Sequence, residues 1–350
     1  MKGNEALAEA AIRAGCKYYF GYPITPQNEI SEYMARRLAD EGGVFLQAES
    51  EVAAINMVYG AAGAGGRVLT SSSSPGISLM QEAVSYIAGS QLPCVMINMQ
   101  RGGPGLGGIQ PSQSDYFQAT KGGGHGDYRL VVYGPSTIQE SCDLMAHAFD
   151  VADKFRNPVM ILGDGMIGQM MEPVTFPDRQ SSLALPDKPW ATTGNEGRES
   201  NVVTSIWLDP EELDAHNWRI QAKYREIEKT EKKAEILYGD DSEWFLVAYG
   251  TVARICQAVI NKMRKEGVKV GLVRPVSLWP FPDWAFEQVV DRAKGFLCVE
   301  MSTGQMVEDA RLAVNGRKPV HFYGRTGGAV PHPRNVEKRL REIMAGGVGA

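Results

Sequence analysis

Thr25, Glu51 and Arg101 have the types and settings that could handle a small anionic molecule. Thr25 stands in Gly21-Tyr22-Pro23-Ile24-Thr25-Pro26, directly after the apolar run at 18–20. One glycine and two prolines make this a rigid turn, holding one hydroxyl at the carboxyl end of a strand. In open α/β sheets that edge is where small ligands bind. Arg101 leaves a strictly apolar strand at 95–97 and enters Gly102-Gly103-Pro104-Gly105. Its planar fork suits a carboxylate or phosphate, and the glycines let a ligand approach.

Glu51 opens a run of Ala, Gly and other small residues after a strand at 44–48. A Glu in a first helical turn complements the macrodipole, and Glu49 competes for any chemical role. The loop TSSSSPG at 70–76 precedes a helix and reads as a cluster of ligand donors or as a Ser-capped turn. His125, between glycines in a long loop, is an acid/base candidate or a loop-fixing residue. Gly163-Asp164-Gly165 with Asn195 downstream is a weak match to a metal–diphosphate motif, because the intervening segment is broken by prolines.

The elements that position these groups alternate between strand and helix over the first 165 or so residues. Strands are expected at 18–20, 44–48, 68–70, 94–98, 130–133 and 159–162. Asn4 is expected to cap a first helix carrying Leu7, Ala11 and Ala14. Further helices bury Ile30, Tyr33, Met34 and Leu38, then 51–64, then 138–154. Continuous apolar strands interleaved with helices imply a mostly parallel sheet covered on both faces. Pro173, Pro177, Pro186 and Pro189 mark 172–210 as an irregular excursion. Asp209-Pro210 is a cap followed by Pro at the first helical position, and the helix is expected to run to about Leu237. Its heptad-spaced Leu213, Ile220, Ile227 and Ala234 suit a packed surface or a subunit contact. A second α/β unit starts near Trp244, with strands at 245–249, 268–273, 296–299 and 320–323.

A length of 350 residues fits two domains of ordinary size. A net charge of −5 leaves no basic surplus to neutralise phosphates, which excludes general nucleic-acid affinity. The 39 glycines exceed the usual share of about 7% and gather in loops after strands. Five scattered cysteines show no C-x-x-C spacing, and Cys94 and Cys298 sit in apolar runs as buried small hydrophobes. With no apolar run long enough for a bilayer and no leader-like start, no membrane association and a reducing cytoplasm are expected.

Taken in order, several stretches resemble the α subunit of the several-subunit 2-oxoacid:ferredoxin oxidoreductases. They are GNEALAEAAIRAGC (3–16), GYPITP, QAESEVAAINMVYGAAGAG (47–65), TSSSSPG, the Arg101 glycine loop, GVKVGLVRPVSLWPFP (267–282) and VEMSTGQM (299–306). The match spans nearly the whole chain apart from 180–240. It implies an α/β fold of two open, mostly parallel sheets covered by helices. Residues 1–180 would be a thiamine diphosphate pyrimidine-binding domain. Residues 181–242 would be a linker with a charged amphipathic helix, and 243–350 a transketolase C-terminal-like domain.

The resemblance assigns Glu51, nine residues before Gly60, as the carboxylate that hydrogen-bonds the cofactor's aminopyrimidine ring and favours its imino tautomer, selecting it over Glu49. It places Tyr22, Pro23, Ile24, Ser73, Ser74 and Gly76 around the cofactor, and Thr25 and Arg101 on the substrate carboxylate. The implied reaction is oxidative decarboxylation: a 2-oxoacid and coenzyme A give acyl-CoA and carbon dioxide, and two electrons leave to ferredoxin. With no cysteine set for clusters, the chain would need a β subunit for the diphosphate half, Mg2+ and iron–sulfur clusters, and further γ and δ subunits. No metal site is expected in this chain. The run Gln110–Gln118 and GGGHGDY look most like the branched-chain, 3-methyl-2-oxobutanoate type. 2-Oxoglutarate is the alternative, aryl oxoacids stay open, and a non-redox transketolase-like component or scaffold is the reading of another class. No second basic residue is placed for a distal carboxylate, which favours apolar substrates.

Overall fold

A computed structural model describes residues 1–176 and 185–346. Pro177 and the rest of 177–184, part of the expected excursion, lie outside the described residues. The first sheet is built from β1 (Tyr18–Gly21), β2 (Val44–Gln47), β3 (Val68–Ser72), β4 (Cys94–Gln100), β5 (Val131–Tyr133) and β6 (Pro158–Asp164). The helices over the same stretch are α1 (Gly3–Arg13), α2 (Asn28–Arg37), α3 (Glu51–Gly63), α4 (Ser74–Gly89), α5 (Tyr116–Thr120), α6 (Ile138–Phe155) and α7 (Gly165–Gln169). After α8 (Pro210–Thr230) come β7 (Ala234–Leu237), β8 (Trp244–Val247), α9 (Gly250–Lys265), β9 (Val270–Pro275), β10 (Ser277–Trp279) and α10 (Asp283–Val290). The chain closes with β11 (Gly295–Glu300), α11 (Met306–Val314), β12 (Val320–Gly324) and α12 (Pro333–Met344).

The strands form a seven-stranded sheet ordered β10-β5-β6-β4-β3-β1-β2 and a five-stranded sheet ordered β12-β11-β8-β9-β7. All pairs are parallel except β10 with β5 and β7 with β9. Strands β3, β4 and β6 are buried at every position, as an apolar strand covered on both faces requires. One face of the larger sheet packs on α1, α2 and α6, and the other on α3 and α4. The core on the α3–α4 face continues without a break through Tyr249, Phe245 and Phe296 to α10 and α11 beside the smaller sheet.

Three local expectations are corrected. Asn4 does not cap α1; it lies buried within the helix, and its Nδ2 donates to Pro26 O and Glu29 Oε2, both at 2.8 Å. The helix capped by Asp209 stops at Thr230, and Ala234 belongs to β7 instead of a fourth heptad position. Leu213 of that heptad is exposed, whereas Ile220 and Ile227 are buried. Strand β10, from the Pro-rich turn of the second unit, crosses over to edge the first sheet, a swap absent from the sequence reading. Cys94 and Cys298 are fully buried, as expected, and burial pushes the Cys94 thiol up to about 12.

Side chains from both units lock the two sheets together. Gln113 donates from Nε2 to Tyr249 O and accepts at Oε1 from Met301 N, both at 3.0 Å. Gln305 donates to Ser114 O and accepts from Phe117 N, both at 2.8 Å. Tyr116 donates its hydroxyl proton to Asp309 at 2.6 Å. On the far side Arg274 holds Glu140 at 2.8 Å and Arg254 holds Glu172 at 2.6 Å.

Candidate functional site

The turns after β1, β3 and β4 converge at the carboxyl edge of the larger sheet, where helix N-termini also arrive. Ser50 caps α3 by accepting from Ala53 N at 3.2 Å, which fixes Glu51 as the first helical residue. Glu51 is only 7% exposed, whereas Glu49 is exposed. Burial therefore separates two acids that the sequence places almost side by side. The Glu51 carboxylate has no hydrogen-bond partner among the described residues. It faces Gly76 at the start of α4, so closely that an added Cβ there would lie 2.7 Å from Oε1. The same point is 2.1 Å from Ser72 Oγ, itself buried and without a partner. A carboxylate held out of water needs a donor, and this corner supplies none from the protein.

The four serines divide their work. Ser73 Oγ donates to Met99 O at 2.7 Å, and Ser74 Oγ donates to Asp115 Oδ2 at 2.6 Å. Both hydroxyls expected to face a cofactor are therefore engaged within the protein. Ser72, not singled out from sequence, is the one left free beside Glu51. Its signal was only its place as the last residue of β3.

The turn Gly21–Pro26 is fastened from below. Gln27 is fully buried; its Oε1 accepts from Ser71 Oγ at 2.5 Å and its Nε2 donates to Tyr22 O at 3.4 Å. Tyr22, Pro23 and Thr25 are exposed above it, and Ile24 is half-buried. Asn28 Nδ2 reaches Thr25 Oγ1 at 3.4 Å. The structure brings Thr25 and Arg101 together: Arg101 Nη1 donates to Thr25 O at 2.9 Å and Nη2 to Leu106 O at 3.3 Å. Arg101 is 8% exposed, and its Nε is buried without a partner. A cleft of about 650 Å³ opens beside Thr25, walled by Pro26, Ile109, Pro111, Met166 and Met170, with Glu29 the one charged residue lining it among the described residues. The Glu29 carboxylate is buried in part, but donors from Asn4, Gln169 and Lys2 hold it below the usual carboxylate range.

Two sequence candidates fall elsewhere. His125 is exposed; its Nδ1 lies 3.4 Å from Ser85 Oγ and its ring meets Tyr86 edge-on, which fixes the loop. Asp164 caps α7 through Met166 N at 2.8 Å and Ile167 N at 3.2 Å, and its other oxygen accepts from Thr251. Both oxygens are spent on the protein, so Gly163-Asp164-Gly165 is a helix cap. Among the described residues no cluster of three or more His, Cys, Asp or Glu is arranged to hold a metal ion. Nor is any helix there long and apolar enough to cross a membrane.

The corner fits the pyrimidine half of thiamine diphosphate on chemical grounds. A ring N–H and an exocyclic amine would supply the donors that the unpaired Glu51 and Ser72 lack, and the bare Cα of Gly76 lets both side chains pack against the start of α4. Residues 9–237 match the family described as pyruvate flavodoxin/ferredoxin oxidoreductase, thiamine diphosphate-binding. Residues 242–336 match pyruvate:ferredoxin oxidoreductase core domain II.

Ketoisovalerate oxidoreductase subunit VorB of Methanothermobacter thermautotrophicus is 49% identical, over 98% of this chain and 97% of its own. 2-Oxoglutarate synthase subunit KorA of Methanothermobacter marburgensis is 34% identical, over 98% of both chains. Among solved structures, 2-oxoglutarate:ferredoxin oxidoreductase from Magnetococcus marinus, with 2-oxoglutarate, coenzyme A and succinyl-CoA bound, superposes with a TM-score of 0.84 at 25% identity. That alignment covers 98% of this chain and 64% of the other. A split-gene transketolase, an inactive β4 tetramer, shares the fold at a TM-score of 0.63 and 11% identity, over 99% of this chain and 98% of the other.

Proposed function

The chain belongs to the 2-oxoacid:ferredoxin oxidoreductase family, and we propose that it carries the pyrimidine half of the thiamine site and the carboxylate grip for a branched-chain 2-oxoacid. The substrate we assign is 3-methyl-2-oxobutanoate, and the products are its acyl-CoA and carbon dioxide. The observation that carries the reading is the buried, partnerless carboxylate of Glu51 facing Gly76 and Ser72.

Thiamine diphosphate, when bound, supplies the nucleophilic carbon and electron sink that let a 2-oxoacid lose carbon dioxide. Glu51 would hold the pyrimidine by accepting a hydrogen bond from its ring N–H, and its buried setting would strengthen that contact. Gly76, Tyr22, Pro23 and Ile24 form the walls, and the Ser73–Ser74 backbone turns α4 toward the ring. Arg101, with an unspent Nε, and Thr25, with its exposed hydroxyl, bind the substrate carboxylate and orient the oxo carbon. The largely apolar cleft beside Thr25 suits an aliphatic side chain; among the described residues no Lys or Arg lines it to meet a second carboxylate. Those features, with the 49% identity to a ketoisovalerate enzyme subunit, support the branched-chain assignment.

The rest of the enzyme belongs to partners in this reading. A β subunit brings the diphosphate half, Mg2+ and at least one iron–sulfur cluster; γ and ferredoxin-like δ subunits pass electrons to ferredoxin in the cytoplasm. An unpartnered rim supports this: Val44 and Leu46 on edge strand β2, Val52 beside Glu51 on α3, and Tyr22 are all exposed. A sheet edge with apolar side chains is ordinarily covered. The units at 1–180 and 243–350, joined by 181–242, are the proposed domain division. The test is to purify the native assembly and follow low-potential dye or ferredoxin reduction with coenzyme A and a panel of 2-oxoacids. Branched-chain substrates are expected to give the highest kcat/KM. A preference for 2-oxoglutarate overturns the substrate, and absence of redox turnover with every oxoacid overturns the whole reading.

A further inference from the structure

Asp115 occupies the N-cap position of α5, yet its side chain makes no capping hydrogen bond. An Asp at that position ordinarily spends its carboxylate on the first free N–H groups. Here Oδ2 turns away and accepts from Ser74 Oγ at 2.6 Å and from Asn98 Nδ2 at 2.9 Å. Ser74 Oγ in turn accepts the N–H of Arg101 at 3.0 Å, and Ser74 N donates to Asn98 Oδ1 at 3.1 Å. Ser74, Asn98 and Asp115, from three separate elements, thus close one ring of hydrogen bonds, and the Arg101 loop starts from it through the bond of Arg101 N to Ser74 Oγ. Ser74 holds a φ of +21°, a conformation a non-glycine residue keeps only when its surroundings impose it.

We propose that Asp115 is a positioning residue for oxoacid binding, acting through the Ser74 hydroxyl to set where the Arg101 guanidinium stands. The inference rests on the reading that Arg101 grips the substrate carboxylate. Geometry favours it over a purely structural role. The loop beyond Arg101 is glycine-rich and exposed at 103–110, and its hold on the side chain is the long bond from Nη2 to Leu106 O at 3.3 Å. The backbone N–H of Arg101 reaches Ser74 Oγ, and Asp115 orients that hydroxyl to accept by receiving its O–H hydrogen bond. Asp115 is itself held from behind, its N–H donating to Gln100 Oε1 at 3.1 Å. Burial pushes its carboxyl above the usual range, and the bonds from Ser74 and Asn98 offset only part of that rise.

The test is a double-mutant cycle in the assembled complex. KM and kcat are measured for 3-methyl-2-oxobutanoate, together with KM for coenzyme A. The variants are Asp115→Ala, Asp115→Asn, Ser74→Ala, Arg101→Ala and the Asp115→Ala/Arg101→Ala pair. Expected is a rise in oxoacid KM of about tenfold for Asp115→Ala, with a smaller rise for Ser74→Ala and KM for coenzyme A little changed. The Asp115→Ala effect should largely vanish in the Arg101→Ala background. Asp115→Asn, which keeps a carbonyl acceptor for both partners, should restore most of the oxoacid KM. Full additivity with Arg101→Ala, or an Asn variant as impaired as the Ala variant, overturns the proposal while leaving the Arg101 reading standing. An Arg101→Ala variant with unchanged oxoacid KM overturns that reading and the proposal together. Should Asp115→Ala not assemble, the Ser74→Ala and Asp115→Asn results decide the same question.

Discussion

The Glu51 carboxylate and the Cα of Gly76 stand so close that a methyl group on Gly76 would lie 2.7 Å from Oε1 and 3.0 Å from Glu51 Cγ. A buried acid and an absent side chain together define the shape of the corner.

Gly76→Ala therefore separates activity from stability. Gly76 is in a helix with ordinary backbone angles, so alanine there favours the helix by up to about 1 kcal/mol. The methyl displaces Glu51 and Ser72, and misplacement on the ångström scale costs on the order of a hundredfold in rate. The helix gain is opposed by an overpacking cost of about 1–3 kcal/mol, so calorimetry should show Tm lowered by no more than a few degrees, while turnover and thiamine diphosphate affinity fall far more.

Glu51→Gln keeps the volume and removes the charge. Turnover of the assembled complex is expected to fall by on the order of a hundredfold or more, the usual scale for a positioned proton-transfer group. Single-turnover kinetics with quantified cofactor distinguishes lost chemistry from lost loading. Wild-type rates in this variant would remove Glu51 from the reaction.

Arg67→Ala should damage the fold without touching the site. Arg67 is buried behind α1, with Nε 2.7 Å from Asp153, Nη2 2.8 Å from Asp150, and Nη1 bonded to Ala14 O. Asp153 is just as buried and keeps only Lys188 at 2.6 Å once the guanidinium is gone. Removing one partner of such a group costs about 3–5 kcal/mol. Denaturant titration should show that loss, with KM values near wild type in whatever folds.

Acid should loosen the joint after α8. Burial pushes the Glu231 carboxyl up, but hydrogen bonds from His147 and Tyr133, each 2.7 Å from Oε2, outweigh it and bring the value down to about 2 from 4.5. A folded-state value below the unfolded one means stability is present above about pH 4.5 and drains away as pH falls toward 2. The stability difference between wild type and Glu231→Gln, followed by thermal unfolding, should shrink across that window.

Much of this was legible in the chain, for physical reasons that also mark where legibility stopped. Strands β3, β4 and β6 announce themselves because a doubly covered strand has no polar face to hide. Asp209-Pro210 gives the start of α8 because both residues act locally, through a cap and a fixed φ. Strands β7 and β10 are short and are defined by antiparallel partners distant in sequence, information that no local period carries. Thr25, Glu51 and Arg101, the proposed site residues, follow strand ends, and that placement is legible in the chain. The engagement of Ser73 and Ser74, the freedom of Ser72 and the reach of Asp115 to Ser74 depend on which way side chains turn across 26 to 41 residues of sequence separation.

Strand β10 has an evolutionary and practical corollary. Because Ser277–Trp279 completes the far border of the larger sheet, a gene broken between the two halves would yield an amino-terminal fragment with β5 uncovered. Such a fragment would offer Val131–Tyr133 as a bare template and would self-associate before it met its complement. Fusion of the two halves in one polypeptide is thus built into the weave of the sheets, even though the complete enzyme is assembled from several separate chains.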